Sequence, residues 1–322
     1  MMQKKLEPKN IKYNRLEKIA ITDAHSHLGR DAFWFNEGKI DEYIKNAKAT
    51  GVVDCFLMSV PCPVISNNNG KKILSLHKLE GKEFKHYVVE ESNGKKNFIP
   101  NLTGINPYKV ANDYIYGITK NNSDIINFNY VPLIHPYYYS EEDIFEHIKR
   151  GAKMLKIHGI ACGVIPKLID DNFFKIIEYY GIPLLIHTDF SNEENLLSYN
   201  SAKEWLNVLM KYNIKVYFAH AARLDFDAIS IINGDNRYIV GIGPDKLLSK
   251  NGQNNIDCKN FIDYCFNTFD NNKIVFDIDY PWNVKDIDNY ELDWNSSKRI
   301  ISQLSNNEQQ KVLRKNIKKF IN

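Results

Sequence analysis

The feature that most constrains this chain is a series of eight short apolar runs, rich in β-branched and aromatic residues, with helical patterns between them. The runs are Ile19–Gly29, Val52–Val60, Tyr130–His135, Lys153–His158, Ile182–His187, Ile214–His220, Tyr238–Gly243 and Lys273–Asp279. Their apolar character is nearly continuous, as in strands covered on both faces. Helical periodicity fills Asp41–Thr50, Glu141–Arg150, Asp170–Tyr180, Asn200–Tyr212 and Cys258–Phe269, with stops at Gly51 and Gly181. From Tyr130 onward the strand ends follow one another at 23 to 36 residues, a suitable length for one strand-helix unit. The reading is an α/β protein, a (β/α)₈ TIM barrel. An open doubly wound sheet is the rival, and no Gly-x-Gly-x-x-Gly follows the first run to support its dinucleotide-binding form.

One interval breaks the rhythm. About 75 residues separate the ends of the second and third runs. Within them, Lys85–Glu91 and Asn97–Thr103 flank Asn93-Gly94, a strong hairpin signal. The expectation is one domain over residues 1–322, with an inserted β-hairpin or small subdomain at 62–129. At the far end, Ser305-Asn-Asn-Glu308 forms a capping box before a docking helix over Gln309–Phe320.

Composition narrows the setting more than the function. The 42 Lys and Arg against 39 Asp and Glu leave a net charge of +3, too little to imply nucleic acid or an anionic membrane as partner. The N-terminus lacks the apolar segment of a secretory signal, and no run approaches the ~20 residues that span a bilayer. Five cysteines (Cys55, Cys62, Cys162, Cys258, Cys265) without a zinc-knuckle pattern suit reduced thiols. The expectation is a cytoplasmic protein acting on a small molecule, with homo-oligomerisation left open.

The chemistry collects at the C-terminal ends of the runs, where barrels carry their active sites. Six of the nine histidines lie there: His25, His27, His135, His158, His187 and His220, joined by Lys156, Asp277 and Asp279. His25, His27 and His187 with a carboxylate of the eighth run would place three imidazole nitrogens and one or two oxygens around one ion. That donor set suits Zn²⁺, with Mn²⁺, Fe²⁺ or Co²⁺ as rivals. An open coordination position would let a bound water ionise near a pKa of about 7. An Asp beside it would take the proton, and His220 would polarise a carbonyl or serve a leaving group.

These residues resemble the amidohydrolase superfamily, in its amidohydrolase-related branch of metal-dependent hydrolases and decarboxylases. The resemblance runs through Asp23-Ala-His25-Ser-His27, Lys156-Ile-His158, Ile186-His187, Phe218-Ala-His220 and Ile278-Asp279-Tyr-Pro-Trp282, and covers residues 19 to 322. It implies a barrel in which His25, His27, His187 and Asp279 hold one metal, with Asp279 and His220 catalytic. Asp279 rather than Asp277 matches the family's Asp-x-Pro ending. A second ion bridged by a carboxylated Lys156 is the less favoured variant, and His158 is a substrate contact or further ligand. The absence of a Glu at the Lys156 position argues against the TatD-type nucleases. Arg223, three residues after His220, would bind a substrate carboxylate or sit in a surface salt bridge. Arg30, Phe33, Trp34, Tyr137–Tyr139, Tyr280 and Trp282 would form an aromatic rim.

The function expected is hydrolysis of a C–N or C–O bond by metal-activated water. The alternatives are a non-oxidative decarboxylase of an aromatic or unsaturated acid, and a catalytically silent barrel that only binds. Substrate, native metal and assembly state lie beyond the sequence.

Overall fold

A computed structural model of the chain describes residues 19–30, 37–60, 72–76, 86–90, 96–100, 108–121, 126–159, 164–188, 201–243, 264–281, 302 and 304–322. Its frame is α/β and parallel. Strands β1 (Ile21–Arg30), β3 (Val52–Ser59) and β7 (Asn127–Tyr130) form one parallel sheet, with the short β2 (Glu37–Gly38) antiparallel on its edge. A second, fully parallel sheet runs β8 (Leu155–His158), β9 (Leu184–His187), β10 (Val216–Phe218), β11 (Tyr238–Ile242), β12 (Ile274–Phe276).

The two sheets meet at both margins. On one side Leu133 bridges Lys156, with Lys156 N–H donating to Pro132 O and Ile134 N–H to Lys156 O, each at 2.9 Å. On the other, Asp279 N–H donates to His25 O at 2.8 Å and His27 N–H to Tyr280 O at 2.7 Å. Pro132 has no N–H, so β7 ends at Tyr130 and the third apolar run continues as a single bridge. The gap is filled by the Asn112 side chain, whose amide donates to Leu133 O at 2.8 Å and accepts from Leu133 N–H at 2.9 Å.

Period-two alternation splits the strand residues into two buried sets. Leu155, Ile157, Leu184, Ile186, Val216, Phe218, Val240 and Phe276 belong to the large core shared with the helices. Ala24, Phe56, Val131, Leu185, Tyr217, Ile239 and Val275 form a separate cluster drawn from both sheets, and Ile317 and Phe320 of the C-terminal helical run close it.

Helices α1 (Ile40–Thr50), α2 (Lys109–Asn121), α3 (Glu141–Lys149), α4 (Asp171–Tyr180), α5 (Ala202–Leu209) and α6 (Phe226–Gly234) separate the strands. Their ends follow local chemistry. Gly51 and Gly181 terminate α1 and α4 with φ of +82° and +63°, and Ser140 opens α3 with a reciprocal capping box to Asp143. The final run is α-helical at Asn306–Gln310 and Asn316–Ile321, with a π-helical turn at Lys311–Lys315 between. Ser305 and Glu308 make the expected capping box. Arg314 and Lys318 reach Asp54 at 3.3 and 3.1 Å, fastening this helix beneath β3. Of the predicted Cys258–Phe269 helix, only 264–269 lies within the described residues, and 264–268 is helical.

The long interval contributes a three-stranded antiparallel sheet of β4 (Lys72–Leu76), β5 (His86–Glu90) and β6 (Lys96–Pro100). The 86–90 and 96–100 pairing is the one the sequence suggested; Asn93-Gly94 lies outside the described residues. The third strand, 72–76, and helix α2 were not legible in the pattern. Among the described residues no helix is long and apolar enough to cross a membrane.

Gly241 and Gly243 of the β11 segment leave room for a buried Asp277 carboxylate. A methyl group on Gly241 would overlap Asp277 Oδ2 and Tyr217 OH, and one on Gly243 would overlap Asp277 Oδ1. Gly241→Ala is expected to cost about 1–3 kcal/mol by overpacking, read as a lower urea midpoint at unchanged m-value.

Candidate metal centre

The site begins with an irregularity in β1. Asp23 pairs with Cys55 and Ser26 with Leu57, so Ala24 and His25 together face one residue of β3, a bulge. Asp23 anchors it. Its carboxylate accepts from Ser26 Oγ at 2.5 Å, Tyr43 OH at 2.6 Å, His25 N–H at 3.2 Å and Ile278 N–H at 3.0 Å. Complete burial pushes its pKa up to about 6 against these hydrogen bonds.

The bulge aims two imidazoles at one point. His25 Nε2 and His27 Nε2 lie 2.8 Å apart, and Asp279 Oδ1 is 3.8 Å from the first and 3.5 Å from the second. The ligand atoms of a tetrahedral ion with bonds of ~2.0–2.1 Å stand roughly 3.3 Å apart, so the three atoms fit one divalent cation. His27 Nδ1 lies 2.7 Å from the Ser59 carbonyl and must donate to it, which leaves the lone pair on Nε2. His25 Nδ1 is buried with no hydrogen-bond partner among the described residues. Burial first, then the positive charge of Lys156, drives both imidazoles well below their usual pKa, so they are neutral, as ligation requires.

Asp279 is carried past the end of β12 in a left-handed conformation, φ +53°, which is costly for a non-glycine residue. Its other oxygen, Oδ2, lies 3.8 Å from His220 Nδ1. His220 Nε2 in turn meets His187 Nδ1 at 3.1 Å, and His187 stacks on His158 with ring centroids 3.8 Å apart. Burial is again the first cause that lowers the pKa of His187 and His220.

Of the four ligands expected from sequence, the structure brings His25, His27 and Asp279 to a common point. His187 lies beside them, paired with His220. Lys156 is wholly buried with Nζ 3.0 Å from His25 Nε2. His135 is occupied with Tyr137, accepting from its backbone N–H at 3.3 Å. Arg223 is buried and donates from Nε to Thr188 O at 3.2 Å. Asp277 lies deeper and accepts from Tyr217 OH. Of the aromatic rim, Phe33, Trp34 and Trp282 fall outside the described residues.

His220 and Arg223 do not end a strand. They sit on a turn, His220–Leu224, whose five residues all have φ between +50° and +56°. Left-handed backbone costs L-residues roughly 1–2 kcal/mol each, a strain held by surrounding packing. Sequence reasoning missed Tyr217, Tyr43 and Thr188. Period two along β10 puts Tyr217 on the face opposite Val216 and Phe218, a signal that was there to read.

No protein-family model and no curated protein matches the sequence. Solved structures do resemble the fold. An amidohydrolase from Burkholderia multivorans with HEPES bound is 9% identical, covering 94% of this chain and 98% of its own, at a TM-score of 0.59. A TIM-barrel protein from Bordetella bronchiseptica is 12% identical over 94% and 98%, at 0.56. Dihydroorotase from Campylobacter jejuni is 15% identical over 94% and 82%, at 0.53. At these identities the likeness is one of fold.

The buried histidines set a pH dependence. His147, outside the site and bonded to Tyr130 OH at 3.0 Å, has its pKa lowered to about 4 by burial. Between pH 6.5 and 4 its unfolded form binds a proton that the folded form refuses, so stability falls as pH falls through that window, by about 3 kcal/mol from this residue. His25, His27, His187 and His220 act in the same direction, and Asp23, held up at about 6, opposes them. Urea denaturation across pH 7 to 4.5 is expected to show stability decreasing with acid, with a shallower slope in His147→Gln.

Proposed function

We propose that this chain is a metal-dependent hydrolase of the amidohydrolase type, built on a closed (β/α)₈ barrel as one domain. The convergence of His25, His27 and Asp279 at the C-terminal mouth of the strands carries the reading. Ring closure is supported by the hydrogen bonds that join the two sheets at both margins and by the inner cluster drawn from each. The added piece within 62–129 is then the three-stranded antiparallel sheet, while α2 and β7 belong to the barrel.

His25, His27 and Asp279 would hold one divalent ion, Zn²⁺ first by donor chemistry, with His187 completing the set by turning its ring from His220. A bound divalent ion supplies Lewis acidity and acidifies water. Asp279 Oδ2, facing His220, is positioned to take the proton of the attacking water. His220 Nδ1 is positioned to carry that proton onward or to donate to the oxygen on which charge develops. His158, stacked on His187, borders the space left for substrate. Lys156 Nζ, 3.0 Å from His25 Nε2, would have to release that lone pair to the ion.

The substrates are small molecules with an amide, ester or lactone bond. Metal analysis of the purified chain is expected to give one ion per chain, lost in His27→Ala and His187→Ala; two ions with extra mass on Lys156 would overturn the mononuclear assignment. Asp279→Asn is expected to lower kcat by about 10²–10⁴. Turnover in H₂¹⁸O should place the label in the product, whereas CO₂ release without label would assign the chain to the decarboxylases.

A further inference from the structure

The two imidazoles that face the candidate ion are held by different means. His27 is fixed by a hydrogen bond, with Nδ1 on the Ser59 carbonyl at 2.7 Å. His25 has no such anchor among the described residues: Nδ1 meets no acceptor there, and its Nε2, which Lys156 approaches, is the atom an ion would take. What the chain supplies to orient this ring is packing. Three rings border it, His27 with centroids 4.6 Å apart, His220 at 5.6 Å and Tyr217 at 6.4 Å. His27 is a proposed ligand and His220 a proposed proton carrier. Tyr217 has no part in either role, and it meets His25 at an interplanar angle of 79°, the edge-to-face arrangement that ring quadrupoles favour.

Tyr217 is wholly buried on the inner face of β10, and its hydroxyl donates to Asp277 Oδ2. Burial first, then the charge of Asp277, drives the phenol well above its usual pKa, so the hydroxyl keeps the proton it donates. The bond has a space made for it, since a methyl group on Gly241 would overlap both partners. Asp277 also donates its N–H to Ile242 O at 3.3 Å, which ties the residue to β11. Two positions on is Asp279, whose N–H donates to His25 O at 2.8 Å. One side chain therefore reaches both arms of the centre: the ring of Tyr217 lies against His25, and its hydroxyl holds the segment that carries Asp279.

We infer that Tyr217, locked in place by Asp277, is a positioning residue for the metal centre: it sets the angle of the His25 ring and the reach of Asp279 so that both meet one ion. This deepens the metal-dependent reading above and rests on it. Tyr217 acts through these two residues, and its role differs from filling the inner cluster, which Ile239 and Val275 do from the neighbouring strands. Removing a group that orients metal-binding side chains typically costs ~10–100-fold in metal affinity, whereas the loss of a filler costs stability.

The test strips the full-length chain of metal with a chelator and titrates Zn²⁺ back against a chromophoric competitor, with the visible spectrum of the Co²⁺-loaded chain as a report on ligand geometry. Tyr217→Phe keeps the ring and loses the lock; Tyr217→Leu loses both. Zn²⁺ affinity is expected to fall about tenfold or more in Tyr217→Phe and further in Tyr217→Leu, with altered Co²⁺ bands in each. Asp277→Ala should match Tyr217→Phe, and Asp277→Asn, which keeps an oxygen for the hydroxyl, should recover most of the loss. Ile239→Ala, a cavity in the same cluster, should lower stability and stay within about threefold of wild-type affinity. Wild-type affinity and spectrum in both Tyr217 variants, or an equal loss of affinity in Ile239→Ala, overturns the inference. If Tyr217→Leu does not fold, Tyr217→Phe decides alone by the same threshold. A wild-type chain that binds neither Zn²⁺ nor Co²⁺ sinks the metal-dependent reading and the inference with it, whereas tight binding indifferent to Tyr217 sinks the inference alone.

Discussion

The carboxylate of Asp23 is the interaction on which the rest of the structure depends. It sits with no exposure to solvent and gathers four nitrogen and oxygen donors and the Cys55 thiol, two of them backbone N–H groups from opposite ends of the chain. The His25 N–H fixes the bulge in β1; the Ile278 N–H brings the segment after β12 against it. Ser26 and Tyr43 occupy the remaining lone pairs, as a buried acceptor requires. From this one group follow the direction of the His25 and His27 imidazoles and the approach of Asp279. Its raised pKa records the cost of the arrangement: burial outweighs four favourable hydrogen bonds.

Around that anchor the site is assembled from groups that are each unfavourable alone. The imidazoles are held neutral by burial and by Lys156, and the acid that faces them sits in left-handed backbone. The turn behind them is left-handed for five consecutive residues. A cluster of buried neutral imidazoles and strained dihedrals persists only where neighbouring structure overdetermines it. Here the inner cluster of the strands, the Tyr217–Asp277 bond and the paired glycines of β11 supply that surrounding rigidity.

Much of this was legible before any coordinate. Seven of the eight apolar runs marked parallel strands, because strands buried on both faces must be apolar throughout; the third, Tyr130–His135, meets β7 only at Tyr130. Gly51 and Gly181 marked helix ends, because the backbone there is left-handed. Ser305 and Glu308 marked the last helix, because a capping box is a local device. What escaped notice depends on tertiary contact. Strand β7 stops early because Pro132 cannot donate, and the role of Asn112 in bridging that gap has no local signature. The histidine pattern pointed to the strand ends where His158 and His187 lie, yet His220 lies on a turn, not a strand end. The pairing of His187 with His220 is a matter of rotamers that spacing does not encode. Arg223, read from sequence as either a carboxylate contact or a surface ion pair, is buried, because the turn that carries it packs inward.

The C-terminal helix has a consequence for how the protein comes into being. Ile317 and Phe320 seal the floor of the inner cluster, and Arg314 and Lys318 grip Asp54 near the opposite end of the polypeptide. The Asp23 to Ile278 bond spans 255 residues. At synthesis rates of roughly 5–20 residues per second, the opening strand waits on the order of tens of seconds for its partner to leave the ribosome. Until then the edge of β1 that Asp279 and Tyr280 cover in the folded chain stays exposed, and an exposed strand edge is a template for pairing with other chains.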